Sequence, residues 1–251
     1  MNTTRAKISR HLILAVATAW LGLLVAGSAS AEPPQKAKGG SEATQVGSTA
    51  SGQEGSAQRE KNAIRLFDGR TFKGWEGDTR TTWRIENGAI VAGSLEKPTP
   101  RNEFLCTRQR FGDFELRLKF KITGDRRVNA GVQFRTERIP NHHEVIGYQA
   151  DIGPGYFGAL YDESRRRKIL AAPDQATTRR ALAAVGKDGW HTYRIRAEGN
   201  HIQLWLNGVQ TVDYREADPN IARDGIIAIQ IHAGMQAIIA YKDIVVTPLR
   251  R

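Results

Sequence analysis

Between Phe114 and Ile122 the chain alternates without a break. Phe114, Leu116, Leu118, Phe120 and Ile122 are apolar, and Glu115, Arg117, Lys119 and Lys121 stand between them. Side chains two apart on an extended strand share a face, whereas a helix would scatter these apolar residues around its axis. The segment therefore predicts a strand with one buried and one wet face. Tyr193-Arg194-Ile195-Arg196-Ala197 repeats the rhythm, and Glu198-Gly199-Asn200 turns into a strand where Ile202, Leu204 and Leu206 share a face. Asn207-Gly208 is the strongest hairpin signal, and Trp83-Arg84-Ile85 returns through Glu86-Asn87-Gly88 to Ala89-Ile90-Val91. Gly225 to His232 and Ala237 to Val246 supply further strands; Phe104-Leu105-Cys106 reads as a buried one. The best helix candidate is the short Arg179 to Val185. Many short strands with Gly and Asn turns predict an all-β fold, a two-sheet antiparallel β-sandwich or jelly roll.

That pattern starts only near Asn62. Residues 1–31 read as an export signal: Arg5, Lys7 and Arg10 precede an apolar run from Leu12 to Ala26, and Ala29-Ser30-Ala31 offers a cleavage site before Glu32. The run is shorter than the ~20 residues of a membrane span, so cleavage is favoured over a retained anchor, leaving no membrane association. Residues 32–61 are rich in Gly, Ser, Ala, Gln and Lys and predict a linker with too little apolar surface to order itself. Residues 62–251 make one domain. The lone Cys106 excludes an intrachain disulfide and reads as packing rather than a nucleophile. Loss of Arg5, Lys7 and Arg10 reduces the formal charge from +11 to +8, but the basic residues are scattered among acids. Without a basic helix or an aromatic-basic RNA motif, nucleic acid is not an expected partner; an exported basic protein is better suited to anionic surfaces or sugars.

The stretch from Asn129 to Arg167 concentrates Gln, Asp, Glu, His, Arg and Tyr on a strand-like, glycine-cut frame. Three strands carry polar pairs at i, i+2: Gln133 with Arg135, Gln149 with Asp151, and Gln230 with His232. Each pair has apolar neighbours on the opposite face. If the strands adjoin, six hydrogen-bonding groups line one groove, as vicinal sugar hydroxyls require, and Tyr148, Tyr156, Phe157 and Tyr161 offer an aromatic platform. The simpler alternative is a solvated sheet face.

Familiar catalytic motifs are missing. There is no Glu-x-Asp-x-x-Glu strand for a retaining glycosidase, which needs carboxylates ~5 Å apart, no nucleophile elbow and no phosphate loop. His142-His143-Glu144 follows Pro140-Asn141 and reads as a loop without zinc spacing. Glu144, Asp151 or Asp162 would suit a hard cation. His191 reads as a strand-edge residue beside a core Trp190. His232 ends a very apolar strand before Ala233-Gly234, which would leave its ring accessible.

The chain resembles the 3-keto-disaccharide hydrolase domain family, described also as 3-keto-glucoside lyase/hydratase and formerly a domain of unknown function. The resemblance rests on Leu66-Phe67-Asp68-Gly69, Phe72-Lys73-Gly74-Trp75, Trp83 to Val91, Glu103-Phe104-Leu105, Phe111 to Leu116, Asn129 to Arg135, Gly147 to Arg166, Trp190-His191, Leu206-Asn207-Gly208 and Gly225 to His232. It implies a concanavalin-like jelly roll acting on glycosides oxidised at C3. The 3-keto group acidifies the C2 proton; a base removes it, the C1 oxygen leaves by elimination, and water adds to the 2-hydroxy-glucal. Such chemistry dispenses with paired carboxylates and needs a base, donors at the enolate oxygen and an acid.

Fitted to those needs, His232 is the expected base, Asp151 or Glu144 its orienter or an alternate base, and Arg135 the enolate partner. Gln133, Tyr148, Gln149, Tyr161, Asp162 and Gln230 are the expected substrate-binding set, with Tyr161 stacking or serving as acid. A divalent cation is the one candidate cofactor, and its ligands are not defined by the sequence. Two positions depart from the family pattern: Tyr148, where many members have an acidic residue, and Ile231, where many have Asp. A non-catalytic lectin-like module and a structural or adhesion domain are the competing classes. Convergence of Arg135, Glu144, Gln149, Asp151 and His232 in one pocket would favour the enzyme.

Overall fold

The computed structural model describes residues 62–124 and 128–249. The expected export signal and linker lie outside them. The described residues form fifteen strands and one helix: β1 (Ile64–Arg65), β2 (Trp75–Glu76), β3 (Arg84–Glu86), β4 (Ala89–Gly93), β5 (Glu103–Phe111), β6 (Phe114–Gly124), β7 (Ala130–Arg138), β8 (Val145–Ile152), β9 (Leu160–Glu163), β10 (Ile169–Ala171), α1 (Gln175–Ala183), β11 (His191–Glu198), β12 (His201–Leu206), β13 (Val209–Arg215), β14 (Gly225–Ile231) and β15 (Ala237–Pro248). Every pairing is antiparallel. The first sheet runs β13-β12-β11-β6-β15-β4-β3, with β1 also on β15; the second runs β10-β9-β8-β7-β14-β5-β2. This is the expected two-sheet sandwich.

The alternating strand Phe114–Ile122 is β6, central in the first sheet, flanked by β11 and β15. Its Phe114, Leu116, Leu118 and Phe120 are buried against Val132, Phe134, Ala150, Ile152, Ile227, Ile229 and Ile231 of the second sheet in one core. The β12–β13 hairpin turns at Asn207 and Gly208, whose φ angles of 51° and 82° suit Asn and Gly and little else. The helix starts four residues earlier than expected because Asp174 caps it: its carboxylate accepts from the Thr177 backbone N–H at 2.7 Å. Trp190 is not in the core; it is half-buried with the Lys242 ammonium 4.1 Å from its ring centre. His191 opens β11, stacked 5.0 Å from Phe120 and 6.0 Å from Phe157, and burial lowers its pKa.

On the second sheet's outer face, Phe104, Cys106, Val145, Ile226 and Ala228 form a smaller apolar cluster. Burial pushes the Cys106 thiol up to about 12, which keeps it protonated and unreactive and bears out its packing role.

Candidate active site

The three strands with polar pairs are neighbours: β8, β7 and β14 lie side by side. Register aligns Gln230, Gly131 and Asp151 in one row across them, and Ala228, Gln133, Gln149 and Tyr161 in the next. Gly131 is part of the design of this face. A Cβ there would come within 2.6 Å of Gln149 Cδ, so the glycine makes room for the glutamine side chain to lie across β7. Gln149 Nε2 donates to Asp151 Oδ1 at 2.6 Å, and Gln133 Nε2 donates to Gln149 Oε1.

Beside this row opens a cleft of about 260 Å³, lined by Asn102, Asn129, Gln149, Asp151, Tyr156, Tyr161, Glu163, Ile169 and His232. Its walls come from β8, β9 and β10, the loops before β5 and β7, the loop after β8, and the residue that follows β14. Burial pushes the Asp151 carboxyl up to about 7, aided by the Glu163 charge and opposed by the Gln149 hydrogen bond. Glu163 is raised by burial and then by the charge of Glu144, while Ser164 and His232 hold it back. Tyr161 is raised by burial and by the charges of Glu163 and Asp151.

His232 Nδ1 lies 2.8 Å from the Ala233 carbonyl oxygen. A carbonyl only accepts, so Nδ1 carries the hydrogen and Nε2 holds the lone pair whenever the ring is neutral. The segment is braced from outside. Ala233 N donates to Asn102 Oδ1 at 2.8 Å, and Asn102 Nδ2 donates to Glu144 Oε1 at 2.9 Å. Glu144 thus sits one residue behind the cleft wall, holding the asparagine that holds the backbone N–H of Ala233, next to the histidine.

Several expected site residues are elsewhere. Arg135 does not face the cleft. A bulge between Phe134 and Glu137 interrupts the ladder, Arg135 takes φ 46°, and Gly225 and Gly147 give the bulge room on either side: a Cβ at either would meet residue 135 or 136 at 2.6 Å. Its guanidinium turns to one end of the sandwich, donating to Gly112 O at 3.1 Å, Gly199 O at 2.7 Å and Asp113 Oδ1 at 2.9 Å. It cannot serve the enolate oxygen. Tyr148 points into the core, stacked 5.7 Å from Phe134, with its hydroxyl donating to Glu216 at 2.7 Å. Asp162 is fully buried on that same inward face, bonded to Arg165 and Arg166. Gln133 and Gln230 do face outward, but both are completely buried beneath the surface rather than lining the cleft. Asn102, Asn129, Glu163 and Ile169 complete the site. Of these, Glu163 was legible from Tyr161: two apart on β9, they share the outward face that Asp162 avoids.

Among the described residues no group of three or more His, Cys, Asp or Glu side chains is placed to hold a metal ion. Glu144 has one oxygen on Asn102, and its other carboxylate oxygen is buried without a hydrogen-bond partner.

The model of the 3-keto-alpha-glucoside-1,2-lyase-like domain matches residues 62–247, most of the chain. The chain belongs to the 3-keto-alpha-glucoside-1,2-lyase-like family. No curated protein matches it. The family's sandwich is also seen in solved structures. A candidate glycosyl hydrolase from Parabacteroides distasonis aligns at 15% identity and a TM-score of 0.55, covering 77% of this chain and 97% of that one. The carbohydrate-binding module CBM66 from Bacillus subtilis aligns at 13% identity and a TM-score of 0.52, covering 69% and 95%. A Bacillus subtilis protein of unknown function with a galectin-like fold aligns at 12% identity and a TM-score of 0.52, covering 75% and 96%. At these identities the likeness is one of fold. As a member of the 3-keto-alpha-glucoside-1,2-lyase-like family, the chain is carbohydrate-related.

Proposed function

We propose that the cleft cleaves 3-keto glycosides by elimination followed by hydration. The observation that carries this reading is the pairing of two groups in one wall: an imidazole whose Nε2 is the lone-pair nitrogen, and a buried carboxyl poised at about 7. His232 Nε2 takes the proton from C2, which the neighbouring C3 carbonyl has made acidic. The C2–H electron pair enters the enolate and then forms C1=C2 as the C1–O bond breaks. The departing oxygen keeps the bonding pair and takes a proton from Asp151, whose burial keeps a protonated fraction near neutral pH. Water then adds across C1=C2, its oxygen to C1 and its hydrogen to C2. The sum is hydrolysis, with no change of oxidation state.

With Arg135 tied to the far end of the sandwich and Asn102 engaged with Glu144 and Ala233, the side-chain amide of Asn129 and the tyrosine hydroxyls of the cleft are the donors for the enolate oxygen. Tyr156 and Tyr161 supply aromatic surface beside the ring, and Gln149 binds hydroxyls. The buried acidic group supports this reading over a lectin-like one, since glycan binding alone does not need a carboxyl held near 7.

The purified protein, incubated with 3-keto-trehalose and methyl 3-ketoglucosides of both anomers, should release 3-ketoglucose. Sugar binding without release across these substrates, with and without added divalent cations, would assign the lectin-like role instead. We place this work outside the cytoplasm on the strength of the leader-like residues 1–31; an N-terminus at Glu32 in protein recovered from the exported fraction would establish it. Among the described residues no helix is long and apolar enough to cross a membrane.

A further inference from the structure

A second cavity, of about 340 Å³, adjoins the first across Tyr156, which lines both. The character of the wall changes there. Phe157, Ala159, Ala172 and Pro173 join Gly155 and Tyr156 in the far chamber, and Gln175, Thr178 and Arg179 of α1 stand along it. No carboxylate and no histidine lines it. The near chamber, in contrast, carries Asp151, Glu163 and His232.

The partition is held firmly. Tyr156 sits in a turn in which the backbone N–H groups of Tyr156 and Phe157 both donate to Gly153 O at 2.9 Å and Ala159 N donates to Tyr156 O at 2.9 Å. Gly158, at φ 80°, closes the turn against Thr211, where a Cβ would approach within 2.7 Å. The far wall is fixed by the Asp174 cap of α1 and by Asn207, whose Nδ2 donates to Ala181 O at 2.9 Å. Yet Tyr156 itself is 45% exposed, and Ile169, on the rim of the near chamber, is 44% exposed. Only Leu95 among the described residues is another large apolar side chain left so open. Exposed apolar surface gathered at one opening marks a place that a ligand covers.

A glycoside has two parts joined at C1. If the ketosugar occupies the polar chamber, its leaving group must point out of it, and the chamber beyond Tyr156 is the neighbouring space. A second sugar would need donors and acceptors around its ring; beyond Tyr156, side chains supply them only from Gln175, Thr178 and Arg179 of α1, while Phe157, Ala159, Ala172 and Pro173 suit an apolar group. We infer that the far chamber is a leaving-group subsite selecting apolar, aryl-type aglycones over a second sugar. This rests on the elimination reading for its readout by turnover, and on the cavity itself for its readout by binding.

The test compares phenyl 3-ketoglucoside, methyl 3-ketoglucoside and 3-keto-trehalose on the full chain and on Ala172→Arg, which places a long charged side chain at an exposed position of the far wall. Thermal unfolding of both proteins verifies that the variant folds. Phenoxide leaves more readily than methoxide whatever surrounds it, so the subsite is read from the change in the phenyl-to-methyl ratio of kcat/KM: the ratio should fall by at least about tenfold in Ala172→Arg, and an unchanged ratio overturns the subsite. Equal kcat/KM for phenyl and methyl substrates, or a preference for 3-keto-trehalose over phenyl, overturns the subsite while leaving the elimination reading in place. If none of the three is turned over, the elimination reading fails, and calorimetric titration of the same compounds decides the subsite: tighter phenyl than methyl binding, lost in Ala172→Arg, supports it, and equal affinities overturn it.

Discussion

Gln149 donates from Nε2 to Asp151 Oδ1 at 2.6 Å, two residues along the same strand and on the same face. The contact holds the carboxyl in place without charging a neighbour. An amide partner favours the ionised form only modestly, so burial wins and Asp151 stays raised to about 7. An arginine at position 149 would reverse that balance.

The pH dependence of stability follows from this. Asp151 titrates at about 7 in the folded protein and near the ordinary 3.8 when unfolded. A raised pKa means that the folded state binds the proton more tightly, so the contribution is complete below about pH 3.8 and is lost as pH rises through about 7. The span of roughly three pKa units corresponds to roughly 4 kcal/mol. Asp151→Asn removes the titration. Its unfolding free energy should therefore gain on the wild type between pH 4 and pH 8, measured by denaturant melts across that range. In turnover, the wild type should lose kcat above about pH 7 as Asp151 ionises, and the variant should be slower and lack that limb.

Replacing His232 by Ala should lower kcat/KM on a 3-keto glucoside by about 10²–10⁴-fold, the range of general base catalysis. The residue is half-buried and lies just past β14, so the fold should survive. Imidazole added to the buffer should restore part of the rate; a merely structural loss would not respond to it.

Gly131→Ala places a methyl group 2.6 Å from Gln149 Cδ and 2.7 Å from its Cγ. The glutamine must move and release Asp151. We expect about 1–3 kcal/mol of destabilisation, together with a shift of the alkaline limb of the rate profile, measured by thermal melts and pH-dependent kinetics.

Arg135→Met should act on stability and not on chemistry. It removes hydrogen bonds to Gly112, Gly199 and Asp113 from a side chain only 2% exposed and leaves Asp113 without this partner. Taking this donor from the part-buried Gly112 and Gly199 carbonyls costs about 1–3 kcal/mol. The folded fraction should keep the wild-type kcat, which separates this variant from His232→Ala.

Much of the site was written in the strand rhythm. Gln149 and Asp151 share a face because they are two apart, and the structure puts them with Tyr161 and His232 in one cleft. The same rule puts Tyr148 inward with Phe134, its hydroxyl on Glu216, and Asp162 inward with Arg165 and Arg166. The two departures from the family pattern, Tyr148 and Ile231, therefore lie in the core, at 1% and 0% exposure, and leave the cleft's lining as it is. Glu163 was available to the same reading; Asn102 and Asn129 were not, because residues just outside strands have no period to follow.

The class of fold, the buried faces and the hairpins were legible in the chain alone, since alternation and Asn-Gly turns act within a few residues. Folding in three dimensions settled which strands adjoin, that a bulge flanked by Gly147 and Gly225 carries Arg135 away from the cleft, and that Asn102 links Glu144 to the backbone N–H of Ala233. Those depend on contacts between residues far apart in the chain, such as Asn102 and Ala233, which no local pattern encodes. The state of Asp151 is of the same kind: a carboxyl near 7 is a property of the burial around it.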